Sequence, residues 1–350
     1  MKIQAYVGGR IGSPDAEKHN LGRADEHRTD PGKQFSGIGN HHGFKAVFQT
    51  AKEGRVLVCI YAVNIGPGLT KLLGCKRVTA LHWHRGPFAS LALGVSHTCG
   101  LRTDGSVSCW GDDFAGRATP PAGVFTQISV GDEHGCGLRT DGSIACWGYN
   151  GDHRADPPAG TFSQVSVGYY HACGLRTDGS ITCWGPSGTG NDNSQGQLTP
   201  PSGAFSAISA GLQYACALRS SDSSATCWGD DAGDGFSGLP SGALTQIDAG
   251  LDKTCGLRGT GSVECWGHGM FLENNPSGTF TQITVGAYHA CGLRTDGSIK
   301  CWGGNDHENT QSIDAPSGSF TKINAGHSHT CGLRTDGSAV CWGENGDHQL

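Results

Sequence analysis

Charge is scarce in this 350-residue chain: Asp, Glu, Lys and Arg make up 16% of it, and apolar residues only 36%. Both fractions are low for a chain built around one large core. No stretch approaches 18 consecutive apolar residues, which excludes a helical membrane span. The opening MKIQAYVGGR lacks the apolar run of a secretory leader. Glycine, at 58 residues, does not recur at every third position, which excludes collagen. No G-x-S-x-G, H-E-x-x-H or Walker loop occurs, and Gly188-Thr189-Gly190 is too short to cradle a phosphate. What the chain has is turn formers, with 14 prolines beside the glycines, and a recurring Cys-Trp-Gly tripeptide that takes up seven of its 8 tryptophans.

The net charge of −6 hides an asymmetry. Residues 1–86 hold 13 Lys/Arg against 6 Asp/Glu, and residues 87–350 hold 12 against 25. The acidic larger part repels a nucleic-acid backbone, so no nucleic-acid partner is expected. The basic first part reads as a solvated surface.

Internal repetition organises everything after residue 86. Cys99-Gly-Leu-Arg-Thr-Asp-Gly-Ser-Val-Ser-Cys109-Trp-Gly returns from Cys136, Cys173, Cys216, Cys255, Cys291 and Cys331. Each copy follows a strand-like run, from Phe88-Ala-Ser-Leu-Ala-Leu to Phe320-Thr-Lys-Ile-Asn-Ala, and then a glycine, from Gly94 to Gly326. One unit reads as three strands, a variable loop and a short fourth strand before the prolines. Such a unit of about 40 residues cannot bury both faces alone, and a ring of seven fits the four-to-eight-blade range of propellers. The fold class expected is all-β: a seven-bladed β-propeller at 87–350, a linker at 81–86, and a small, incomplete β-sandwich module at 1–80. A straight solenoid is the alternative architecture.

Thr103-Asp104-Gly105 suits a type I turn followed by glycine in the left-handed region. The resulting register pairs Leu101 with Val107 and Cys99 with Cys109, and sets all four on one face. Asp104 and its equivalents are turn formers. The fourth copy, Cys216 to Cys227, is one residue longer and lacks Asp-Gly. Every cysteine has a local mate: Cys99–Cys109, Cys136–Cys146, Cys173–Cys183, Cys216–Cys227, Cys255–Cys265, Cys291–Cys301, Cys331–Cys341, and Cys59–Cys75 around Gly66-Pro67-Gly68. Eight local disulfides imply an oxidising compartment, hence a secreted or cell-surface protein. Each contributes about 2–3 kcal/mol by the chain-entropy model. Nine residues intervene within a pair where zinc sites place two to four, so no metal and no cofactor are expected.

The unit F-x-Q-I-x-x-G-x-x-H-x-C-G-L-R-T-D-G-S-x-x-C-W-G resembles the repeat of the regulator of chromosome condensation family, above all its bacterial cysteine-containing branch. The secreted beta-lactamase inhibitory proteins of the second type are similar in repeat length and in the G-x-x-H and W-G elements. The resemblance implies a seven-bladed, protein-binding propeller. Shorter repeats and paired cysteines depart from the family's nuclear exchange factor, and that activity is not carried over. Residues 4–78 resemble an Ig-like module of secreted bacterial proteins. The likeness begins abruptly at Met1, so leading strands and an export signal are expected upstream.

Comparing the copies separates a constant from a variable set of loops. The Thr-Asp-Gly turns and the prolines fall at one end of the ring. The G-x-x-H loops and the loops after Trp-Gly fall at the other, where binding on a rigid scaffold is expected. Candidates there are Asp132, Glu133, Tyr149, Tyr169, Tyr170, Leu212, Asp252, Tyr288 and His327. Tyrosines offer contact area at low entropic cost. This end reads as acidic with aromatic patches, suited to a basic protein surface, a cation or a stacked glycan. His97, His134, His171, His289 and His329 are expected to hydrogen-bond within their own blades, and the tryptophans to be core. The leading reading is a binding protein for a protein partner. The alternatives are a polysaccharide-binding or polysaccharide-cleaving protein using the acidic loops, and an architectural envelope module without ligand. No catalytic residue is assigned.

Overall fold

The computed structural model describes the backbone of residues 2–7, 17–23, 54–63 and 71–80, and, side chains included, residues 87–186, 196–230, 238–267, 276–303, 315–344 and 349. The chain divides into two compact units, Met1–His82 and Trp83–Leu350. In the first, β1 (Lys2–Val7), β2 (Glu17–Arg23), β3 (Gly54–Val63) and β4 (Lys71–Ala80) form one antiparallel sheet in the order β2-β1-β3-β4. The register sets Cys59 opposite Cys75. A second layer of the expected sandwich is not among the described residues, and the side chains of this unit and the Gly66-Pro67-Gly68 turn lie outside them.

The second unit is seven three-stranded antiparallel sheets. Blade one comprises β5 (Phe88–Leu93), β6 (His97–Arg102) and β7 (Val107–Gly111). The first strands of the later blades, Phe125–Val130, Phe162–Val167, Phe205–Ala210, Gln246–Ala249, Phe280–Val285 and Phe320–Ala325, join β5 around a common axis.

The expected fourth strand is absent where the connection is fully described, between Gly111 and Phe125 and between Gly148 and Phe162. A 3-10 turn at Phe114–Gly116 stands there in blade one. Its backbone is satisfied locally: Asp113 accepts from the Ala118 N–H at 2.9 Å, and the Arg117 carbonyl accepts from Trp147 Nε1 of the next blade at 2.9 Å. These bonds draw the segment across to its neighbour, so it does not lie along its own outer strand.

The hairpins follow the expected register. Leu101 faces Val107 and Cys99 faces Cys109. The Arg102 N–H donates to the Ser106 carbonyl at 2.8 Å, and Gly105 takes φ +83°. Asp104 accepts from both the N–H and the hydroxyl of Ser106. In blade four Ser223 occupies the left-handed position at φ +56°, and Asp222 still accepts from Ser224. Seven disulfides close the seven hairpins.

The core lies between blades. The face carrying Cys99, Leu101, Val107 and Cys109 packs on Phe125, Ile128, Val130 and Trp147 of blade two. The same wedge recurs around the ring, and Cys331, Leu333, Ala339 and Cys341 of blade seven close onto Phe88, Leu91, Leu93 and Trp110 of blade one. Each blade is thus covered only by its neighbours, which is why a lone unit cannot fold.

Polar contacts close the ring a second time. At the inner edge, a Cβ on Gly131 would run into the Gly168 carbonyl, and the same holds step by step from Gly94 round to Gly326 and back. The Gln of F-x-Q-I also crosses to the next blade: Gln164 accepts from the Ile208 N–H at 3.0 Å and donates to the Ile208 carbonyl at 2.9 Å. Gln246 and Gln282 repeat this on Ile283 and Ile323. The exposed inner strand edge of one blade is therefore hydrogen-bonded by its neighbour's side chains. The Gln349 carbonyl accepts from Trp110 Nε1 at 3.1 Å and Thr98 Oγ1 at 2.9 Å, which fastens Gln349 to blade one.

Candidate functional site

Each G-x-x-H segment is a tight reversal between first and second strand, with the glycine N–H donating to the histidine carbonyl, as from Gly131 to His134 at 2.9 Å. The two intervening residues form its tip. The residue after Trp-Gly is tied to that tip: the Asp112 N–H donates to the Ser96 carbonyl and the Tyr149 N–H to the Glu133 carbonyl, both at 2.9 Å. The two variable loop sets share one end of the ring, as the repeats imply. The Thr-Asp-Gly turns meet the proline segments at the opposite end, where the Phe125 N–H donates to the Gly105 carbonyl at 2.8 Å.

The histidines are buried but bond differently from the expectation. Their side chains face the next blade and not their own. His329 shares a hydrogen bond of 2.9 Å with Thr98, and His289 one of 2.6 Å with Thr330. Tyr214, the blade-four equivalent, donates to the Lys253 carbonyl at 2.8 Å and lies 3.1 Å from Thr254 Oγ1. The rule is simple: a threonine following the equivalent position one blade on receives the ring. His97, His134 and His171 meet Gly135, Ala172 and Ala215 there; the rings of His97 and His134 have no hydrogen-bond partner among the described residues, and the Leu212 backbone acts on His171. Burial pulls all five far down, to about 4 for His97, His171 and His289 and about 3 for His134 and His329. They are neutral inter-blade packing groups. Among the described residues no three His, Cys, Asp or Glu side chains converge as metal ligands.

Three of the predicted site residues, from three blades, meet at the ring axis. The Tyr169 ring lies 6.1 Å from the His327 ring, and Tyr288 stands edge-on to His327 at 5.2 Å. Tyr170 packs against Tyr169 at 6.4 Å. Tyr288 is 37% exposed, among the most exposed large apolar side chains described. The Tyr169 phenol is driven up by burial and then by the negative charge of Asp132, with Asp252 adding to it. Both carboxylates therefore act on the same point. Beneath the cluster a cavity of about 140 Å³ runs along the axis, lined by residues of all seven blades.

The rest of the predicted set is more engaged than the sequence suggested. Glu133 accepts from Arg154 at 2.9 Å, and Tyr149 and Tyr170 lie beneath the same guanidinium at 5.4 and 5.0 Å. Arg117 pairs with Asp112 at 2.7 Å, reaches the Asp132 carboxylate at 3.7 Å and donates to its carbonyl. The acidic reading of these loops is corrected to that extent: Arg117 and Arg154, both buried, neutralise part of them. Asp132 is nevertheless raised, by burial first and Glu133 second. Leu212 is half-buried on the blade-four tip and is not among the rings that meet at the axis. Asp252 is exposed. Asp231, Phe271, Asp306 and Glu308, in the loops after Trp-Gly of later copies, lie outside the described residues.

Sequence reading missed Arg117, Arg154 and Asp248. Arg117, Arg154 and Gln349 each stand seven residues after a repeat tryptophan, a regularity that was there to be read. Asp248 breaks a run of neutral residues, since the matching positions are Ala92, Ser129, Ser166, Ser209, Thr284 and Asn324. Its carboxylate accepts from the Val285 N–H at 2.8 Å and from Ser209 at 3.2 Å, and burial pushes it up to about 6.

The fold and this axial site define a disulfide-closed seven-bladed propeller with one constant and one variable end. Residues 88–117, 125–154, 162–197, 280–308 and 320–349 match the model of the Regulator of chromosome condensation (RCC1) repeat. The CRINKLY WD40 ectodomain of the Arabidopsis thaliana receptor kinase ACR4 is 31% identical over 74% of this chain and 96% of that one, with a TM-score of 0.62. The entire ectodomain of the Physcomitrella patens receptor kinase CR4 is 28% identical over 74% of each chain, with a TM-score of 0.62. Prp20p from Saccharomyces cerevisiae, at 15% identity over 73% of this chain and 82% of that one, shares the fold with a TM-score of 0.57. No curated protein matches the chain. The chain belongs to the propellers built of regulator of chromosome condensation repeats.

Proposed function

We propose that this protein is an extracellular interaction module that holds a protein partner on the variable end of its propeller. One observation carries the reading: Tyr169, Tyr288 and His327, from three different blades, form one partly exposed ring cluster across the axis of an otherwise repetitive scaffold. Aromatic anchors at the centre of a patch are where binding energy concentrates. The disulfides, and the likeness to two receptor-kinase ectodomains, support an oxidising, extracellular setting. Membership of the bacterial secreted branch belongs to the same reading, with residues 1–80 a separate module and 81–86 its linker.

The test is capture of a partner from the medium surrounding the source cells by the intact oxidised chain. The triple variant Tyr169→Ala, Tyr170→Ala, Tyr288→Ala is expected to lose capture with its melting temperature nearly unchanged. A variant of the opposite end, Asp104→Asn with Asp141→Asn, is expected to keep it. Capture that survives the tyrosine variant overturns the assignment of the binding end.

A further inference from the structure

The axial mouth carries more information than an aromatic patch, and the inference here rests on the reading above. Its rings are uncharged: burial lowers His327 against the opposing pull of Glu344. Carboxylates converge on the mouth, and Arg117 offsets one of them in part. Asp132 and Asp252 lie within electrostatic reach of Tyr169. Asp248 adds a third carboxylate to the cavity wall below. Among the described residues no lysine or arginine lines that cavity. Arg117 approaches Asp132 at 3.7 Å but also pairs more closely, at 2.7 Å, with Asp112. Among the described residues the buried Tyr169 hydroxyl has no hydrogen-bond partner at the mouth.

Ring faces that carry negative quadrupole, set among carboxylates, attract an organic cation, and such a contact strengthens when the cation leaves water. A neutral sugar gains stacking from the rings and hydrogen bonds from the carboxylates, but it brings no charge to balance theirs. An anionic ligand is repelled by them. A basic side chain on a protein fits both features, and its aliphatic stem covers the apolar rings while its head reaches the charge. The negative balance of residues 87–350, 25 acidic against 12 basic, steers such a partner in.

We infer that the mouth formed by Tyr169, Tyr288 and His327 receives a lysine or arginine side chain of the protein partner, with Asp132 and Asp252 as its counter-charges. The interaction is a central contact in a larger interface whose rim is the remaining variable loops.

The probes are Nα-acetyl-arginine methylamide and Nα-acetyl-lysine methylamide, titrated into the intact oxidised chain and followed by the tyrosine and histidine ring resonances. The neutral Nα-acetyl-citrulline methylamide and cellobiose are the controls. At least one cationic amide is expected to saturate the Tyr169, Tyr288 and His327 signals, and citrulline to bind at least tenfold more weakly. Tyr169→Ala and Asp252→Asn are each expected to weaken the cation fivefold or more, and Asp104→Asn to leave it unchanged. Thermal melts of each variant show that the fold is kept. Equal binding of citrulline, binding insensitive to both mouth variants, saturation by cellobiose alone, or no saturation at all overturns the inference. If the cations fail while the triple tyrosine variant still abolishes partner capture, the binding end stands and only its cation specificity falls. If capture survives that variant, the reading beneath falls as well.

Discussion

The two ends of the propeller are made by the same strands and differ in almost every other respect. At the turn end, six blades keep Gly in the left-handed position of the hairpin, and Asp104, Asp141, Asp178, Asp296 and Asp336 each accept from the serine two residues on. At the mouth end, no two tip dipeptides are alike. Repetition at one end fixes the blade and its spacing. Departure at the other places tyrosines from separate blades in a single cluster. Scaffold and specificity are thus separated along the strand direction, so changes at the two ends report on different properties.

The largest expected effect acts on the scaffold and spares neither end. All five repeat histidines titrate near 6.5 when unfolded and near 3–4 when folded. The native state therefore binds fewer protons between those values. Stability is full above pH 6.5 and is lost as pH falls through that window. By pH 5 the loss is about 2 kcal/mol per histidine. Asp248 has the opposite sign, because its raised carboxyl destabilises the fold at neutral pH and recovers about 1 kcal/mol on acidification to pH 5. Five histidines outweigh one aspartate. Urea midpoints measured at pH 7 and pH 5 are expected to fall steeply, and a flat profile breaks the account of the buried rings.

Next in size is the inner ring. Gly131→Val sets a side chain against the Gly168 carbonyl, which belongs to backbone and cannot swing aside. A loss of about 3 kcal/mol is expected in chemical denaturation. Removing the Cys136–Cys146 bridge with serines is expected to cost about 2–3 kcal/mol, and should leave partner capture intact once the protein is folded. Smaller is Ser223→Gly, which relieves the serine held at φ +56° and is expected to raise stability by about 1 kcal/mol. A measured destabilisation there shows that the blade-four turn is held by more than its Asp222 contact. Tyr288→Ala sharpens the contrast from the other side: half a kilocalorie or less in stability, against a clear loss of binding.

The hairpin register was legible because an alternating strand, a three-residue loop and two cysteines leave one consistent pairing. The sharing of the two ends between constant and variable loops was legible for the same reason, since strand direction alternates. Contacts that cross from blade to blade were not read, although their partners sit in the repeats. His289 and His329 have a threonine one blade on, and His97, His134 and His171 do not. Arg258 shows the same logic. In six blades this arginine lies over the repeat phenylalanine, as Arg176 does over Phe162 at 4.8 Å. In blade five the phenylalanine is Leu244, and Arg258 turns to Glu264 at 2.6 Å. The fourth strand was misread because composition marks a turn-rich segment but not the neighbour that binds its carbonyls. The charge of the mouth loops was overstated because Arg117 and Arg154 were not counted against it.

Each propeller cystine joins residues only 10 or 11 apart, inside a single hairpin. Oxidation can therefore proceed unit by unit during synthesis, with no need for distant thiols to find one another. Ring closure is different, because its final latch is the carbonyl of Gln349 on Trp110 and Thr98. The covalent steps are complete before the circle is, because all seven hairpins, through Cys331–Cys341, precede the latch at Gln349 in the chain.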